Sequence, residues 1–236
     1  MLPKIVHPTF DVTIPSSKKK MKIRPMLVKE EKVLLMAKTS KDVGDTLAAI
    51  KQVVSNCMVD QVDVDEWPIF DVEYVFLRIR AFSINNIAKP SFQDTEDGKV
   101  REFDVDLDKV EVKFPEQTPS NTVKINDDIS LTLRWPKSKM YDDNSLLIDG
   151  ADVTETVAMY CIDKVYDKNV VTDPSMEKKE DFAAFLESLS IETYEAIRVW
   201  IQQIPTLYYK IAYTNEKDHE RIIELTSLND FFSLRS

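Results

Sequence analysis

Polar and apolar residues alternate along Thr9-Phe10-Asp11-Val12-Thr13-Ile14, and more loosely from Lys22 to Val28. Between these stretches lies Pro15-Ser16-Ser17-Lys18, a run of turn-forming residues. Period-two alternation on both sides of a turn predicts a β-hairpin with Lys18, Lys19 and Lys20 at its tip. Pro25 has no amide donor, so the second strand lies at an edge or ends there. The spacing then changes to threes and fours. A helix is predicted over about residues 29–38, with Val33, Leu34, Leu35 and Ala37 as its inward positions. A second, over about 41–58, aligns Leu47, Ile50, Val53, Val54 and Cys57 on one stripe.

After an acidic linker, Gln61–Glu66, Trp67-Pro68 opens a third helix, where the missing N–H of proline costs little. This segment is apolar nearly all round: Ile69, Phe70, Val72, Tyr74, Val75, Phe76, Leu77 and Ile79 leave no polar face. Such a helix is a buried central element. Asp71, Glu73, Arg78 and Arg80 must then be paired or sit at its edges, because an unpaired buried charge is costly.

From Ile87 the alternation returns. Residues 90–93 and 100–106 flank Asp97-Gly98, a hairpin signal, and residues 110–114, 123–125 and 129–135 continue the pattern. Together they predict a small antiparallel β region with one solvated face. The last hundred residues read as helices over 153–165, 179–189 and 191–204, the last capped by Ser190 and stopped by Pro205. Residues 208–213 and 221–225 alternate around a polar turn and predict a terminal hairpin. Segregated helices and strands make the class α+β. The division expected is 1–87 (hairpin and helices), 88–136 (antiparallel β region) and 137–236 (helices with a terminal hairpin), or one compact unit holding all three.

Charge modifies this picture. The chain carries −10 overall, yet residues 1–40 hold nine Lys or Arg against three Asp or Glu, leaving −16 on the rest. A basic head on an acidic body can fold back on itself, steer onto an acidic partner, or serve only as a solvated turn. The acidic balance speaks against unspecific nucleic-acid binding, which depends on neutralising phosphates. Three glycines in 236 residues speak against phosphate-cradling loops. The two cysteines, Cys57 and Cys161, show no pairing pattern, and no leader-like apolar run opens the chain. Buried thiols in a reducing cytoplasm are expected, with no membrane span.

Candidate chemistry is sparse. His7 and His219 have no Ser or Cys at a recognisable spacing, so nucleophilic catalysis has no anchor. The acidic runs at 60–66 and 142–144 lack the turn glycine and final bidentate Glu of a calcium loop. No cofactor, metal site or catalytic residue is expected, and the protein is expected not to be an enzyme. Three features suit docking instead: the lysine tip, open strand edges, and the apolar end that includes Phe231 and Phe232.

His7-Pro8-Thr9-Phe10, Pro15-Ser16, Arg24-Pro25 and Leu27-Val28-Lys29-Glu30-Glu31-Lys32 follow one another in the order of a known opening. With Pro68–Ala81 and the ending Asp230-Phe231-Phe232, they resemble the baseplate hub proteins of T-even-like contractile-tailed phages. The similarity runs through most of the chain and is sharpest in its first 85 residues. It implies a role in tail assembly, as a hub subunit or as a chaperone that helps build the hub. Partners would be other hub and tail proteins, with self-association left open. The protein would act in the host cytoplasm and, if retained, in the virion baseplate. Contact residues expected on this reading are Lys18, Lys19, Lys20 and Arg24, then Phe231 and Phe232. A nucleic-acid-binding or small-molecule-processing phage protein is the competing class. Some members of the resembled family carry Cys pairs in the central or terminal hairpin, suggestive of zinc knuckles. The matching turns here, residues 94–98 and 214–219, contain none, so no metal site carries over and hairpin packing must hold those regions.

Overall fold

The computed structural model describes residues 5–39, 43–118, 120–143 and 154–231. Among them are seven helices and thirteen strands in small antiparallel sheets, an α+β protein. The chain forms two units: Met1–Lys113 with Thr206–Ser236, and Phe114–Pro205 between them in sequence.

In the first unit, β1 (Phe10–Thr13) and β2 (Lys20–Ile23) form the predicted hairpin, in register Phe10↔Ile23 to Thr13↔Lys20. Val12, Ile14 and Ile23 point inward and are buried, so the alternation places one face on the core. Helices α1 (Val28–Thr39), α2 (Val43–Cys57) and α3 (Ile69–Ser83) follow. Central α3 buries eight side chains, among them Phe70, Val75, Leu77 and Ile79. Each large one contributes about 1.5–3 kcal/mol by leaving water.

Its four charges resolve separately. Asp71 is buried against the hairpin, Arg78 pairs with Asp108 at 2.6 Å, and Arg80 donates to the Asn85 carbonyl at 3.1 Å. Glu73 makes no hydrogen bond or ion pair among the described residues. Burial and the Asp230 charge push its carboxyl up to about 7.

The expected β region is shared out rather than continuous. β3 (Ile87–Ala88) pairs with β6 (Val105–Asp106), and β4 (Ser91–Gln93) with β5 (Val100–Glu102) around Gly98 at φ 75°. β7 (Glu111–Lys113) is an edge of a three-stranded sheet with β12 (Thr206–Thr214) and β13 (Glu220–Leu225). Lys113 lies opposite Thr206 in that ladder. The chain thus leaves the first unit and re-enters it at neighbouring positions of one ladder. Helix α7 (Leu228–Phe231) closes the unit with Leu228 and Phe231 buried.

The second unit takes the remaining strands. β8 (Thr122–Lys124), β9 (Ile129–Leu133), β10 (Ile162–Asp167) and β11 (Val170–Thr172) form a sheet in the order β11-β10-β9-β8. The helix expected over 153–165 is α4 (Thr154–Cys161) and stops there; Val153 lies outside the described residues. Ile162 and Val165, both β-branched, pair with Leu133 and Leu131 instead. Helix α5 (Lys179–Glu187) and helix α6 (Ile191–Gln202) lie near their expected positions, and Ser190 Oγ caps α6 by accepting from the Thr193 amide at 3.1 Å. Leu131, Ala158, Ile162, Phe182, Ile197 and Trp200 make this unit's core. Trp200 stacks on Trp135 at 4.2 Å and donates to the Arg134 carbonyl at 3.1 Å.

Candidate functional site

The lysine tip is set by its turn. Lys18 N–H donates to the Ile14 carbonyl and Ile14 N–H to the Lys19 carbonyl, both at 2.9 Å. Lys18 takes φ 57°, a left-handed conformation that a side chain tolerates at some cost. Lys18, Lys19 and Lys20 are exposed, and Lys18 lies within electrostatic reach of Asp71.

The hairpin beneath the tip is fixed along the length of α3. The Ser16 amide donates to Asp71 Oδ1 at 2.9 Å and its hydroxyl to Asp71 Oδ2. Burial raises the Asp71 pKa, and the two Ser16 bonds offset part of that rise. Phe10 stacks on Phe82 at 4.1 Å, and the Met26 amide donates to Ser83 Oγ at 2.8 Å. The other side joins the end of α2, where Arg24 N–H donates to the Cys57 carbonyl and Val59 N–H to the Lys22 carbonyl, each 2.9 Å.

Arg24, expected at a partner surface, is used inside the chain. Its Nη2 is 2.9 Å from Glu30 Oε1 and 2.7 Å from the Asn56 carbonyl, and its Nη1 donates to the Pro25 carbonyl. Glu30 is 0% exposed and also accepts the Leu27 amide at 2.9 Å, which is the N3-to-N-cap half of a capping box for α1. Burial pushes the Glu30 carboxyl up, but Arg24, the Leu27 amide and Lys29 outweigh it and leave the pKa lowered. Leu27 offers no capping side chain of its own, so the sequence carries no capping-box signature for this role.

Phe231 is 1% exposed in the first unit's core, so in this conformation it is a packing residue and presents no surface. Phe232 lies outside the described residues. Asp230 accepts the Thr226 and Ser227 amides at 2.9 Å each and holds α7 at its start.

The central and terminal hairpin turns meet. Tyr213 Oη donates to Asp94 Oδ2 at 2.7 Å, Asn215 Nδ2 to Glu96 Oε2 at 2.8 Å, and the Glu216 amide to Asp97 Oδ2 at 3.1 Å. His219 Nδ1 lies 2.6 Å from Glu96 Oε1, Arg221 reaches both Glu96 and Asp94, and Lys99 pairs with Glu216. Tyr213 holds Asp94, His219 holds Glu96, and Arg101 holds Asp97 below the usual carboxylate range. Polar contacts between these turns thus join the central hairpin to the terminal one. Among the described residues, no three His, Cys, Asp or Glu side chains are grouped to hold a metal ion.

Both cysteines are buried and free, and desolvation pushes Cys57 up to about 11 and Cys161 up to about 12. They are thiols at neutral pH, not nucleophilic thiolates. In the second unit, Arg134, Lys139, Tyr160 and Lys179 border a cavity of about 210 Å³. Arg134 is paired with Asp163, while Tyr160 and Lys179 share Asp143. No helix among the described residues is long and apolar enough to cross a membrane.

A family model described as T4 bacteriophage base plate protein matches residues 7–233. No curated protein and no solved structure matches the chain.

Proposed function

Since the chain belongs to the family of T4 bacteriophage base plate proteins, we propose that it is a non-enzymatic hub subunit, or a chaperone of hub assembly, that works by docking. The match across residues 7–233 carries this reading. Three consecutive exposed lysines on a hairpin tied to α3 by Ser16, Phe10 and Met26 add a mechanism. A charged tip on a fixed scaffold loses little conformational freedom on binding, so more of the interaction energy remains as affinity. Its partner is an acidic surface on a neighbouring baseplate protein, and its charge acts mainly on encounter rate and specificity. Arg24 and Phe231 are used within the chain, Arg24 against Glu30 and Asn56 and Phe231 in the core.

The test is a variant carrying Lys18→Asn, Lys19→Glu and Lys20→Glu. Asn at 18 keeps a residue that tolerates positive φ and adds no negative charge beside Asp71. Association with the partner should slow by about tenfold or more at low salt, and added salt should no longer slow the association that remains. Unchanged association kinetics would sink the hairpin as the docking element while leaving the family assignment in place.

A further inference from the structure

Helix α1 carries apolar side chains on both sides. Leu34 and Ala37 face inward, whereas Leu35 is 55% and Met36 72% exposed. Beside Leu34 runs a groove of about 250 Å³, walled by Met26, Ile50, Phe76, Leu228 and the 64%-exposed Ile84. A single exposed leucine would be unremarkable, but a ridge next to an apolar groove is surface that a lone protein seldom leaves uncovered. Glu31 and Lys38 also border the groove. Both are exposed, and neither makes an ion pair among the described residues.

The order of these residues identifies the occupant. Glu31, Leu34, Leu35 and Lys38 form one stripe along the helix, at i, i+3, i+4 and i+7, with Leu34 at its inner edge and Leu35 at its outer edge. The set is symmetric about the midpoint between Leu34 and Leu35, with opposite charges at its ends. Two α1 helices packed antiparallel across a two-fold axis would place Glu31 of each copy opposite Lys38 of the other. Leu35 of each would enter the groove beside Leu34 of the other. An isologous interface requires this self-complementarity, ridge into groove and charge onto opposite charge.

We propose that α1 and its groove form a homodimer interface whose occupant is α1 of a second copy. This surface is separate from the lysine tip, so the dimer and the docking function stand or fall independently.

Sedimentation of the full chain across a micromolar concentration range tests the proposal. The wild type should dimerise. Glu31→Lys alone and Lys38→Glu alone should each weaken the dimer about tenfold or more, because each sets like charges opposite one another twice. An equimolar mixture of the two variants should regain wild-type affinity, since both interfacial pairs become opposite in sign again. Leu35→Asp should give a monomer. A wild type that stays monomeric overturns the proposal, and so does one that dimerises only after residues 232–236 are removed, since the chain's own end would then fill the groove. A dimer indifferent to both charge reversals, or a mixture that does not recover, overturns it as well.

Discussion

Arg24→Ala should destabilise the protein by about 3 kcal/mol, the range in which one half of a buried ion pair is left behind. Glu30 is fully buried and Arg24 is 18% exposed, so the change strands a carboxylate between α1 and the end of α2. Lys29 at 3.4 Å and the Leu27 amide would compensate only in part. Replacing both partners, Arg24→Met with Glu30→Leu, should cost less than the sum of the single changes, because no charge then remains buried. The folded Glu30 pKa is lowered, so its stabilisation is present above the unfolded value near 4.5 and is lost as pH falls through the folded value. Urea unfolding of the two single variants and the double variant measures these terms. A cost below about 1 kcal/mol for Arg24→Ala would mean that the pair is not the node described.

Glu73→Gln acts in the opposite direction and should stabilise the protein at pH 8 by about 2 kcal/mol, allowing for partial solvent screening. The folded pKa is raised from 4.5 to about 7. Below pH 4.5 the carboxyl is neutral in both states and costs nothing extra. Between 4.5 and 7 the unfolded chain releases its proton more readily, so wild-type stability falls as pH rises and then levels off. The amide removes that loss, so the two proteins should have equal stability near pH 4 and diverge up to pH 7. A gain that is the same at pH 4 and pH 8 would show that packing, not ionisation, separates them.

Much of the first unit was legible because its signals are local. Alternation and turn residues gave β1 and β2, and an all-apolar run gave α3. The lysine tip followed from the turn. The role of Arg24 did not, because a basic residue in a basic segment reads as surface until Glu30 is found buried beside it. Leu35 was expected inward with Val33, Leu34 and Ala37, but α1 rolls so that Glu30 takes an inner position and Leu35 turns outward. The β10–β11 hairpin was missed, although Asn169 in its Lys168-Asn169 turn is a turn former, because Val157, Cys161 and Val165 also fit a helical stripe. The pairing of β7 with β12 joins residues more than ninety apart, and the Glu96–His219 contact spans 123. Periodicity within a window cannot report either. One ladder brings Lys113 and Thr206 together at the positions where the chain passes between its two units.

The docking account rests on the chain entering a defined assembly. Co-expression with the baseplate proteins of the same phage, followed by size exclusion with mass measurement, tests this directly. The account predicts a stoichiometric complex that co-elutes with at least one of those proteins and dissociates as salt is raised. A chain that elutes alone from every combination, at low salt and with its fold intact, would contradict it.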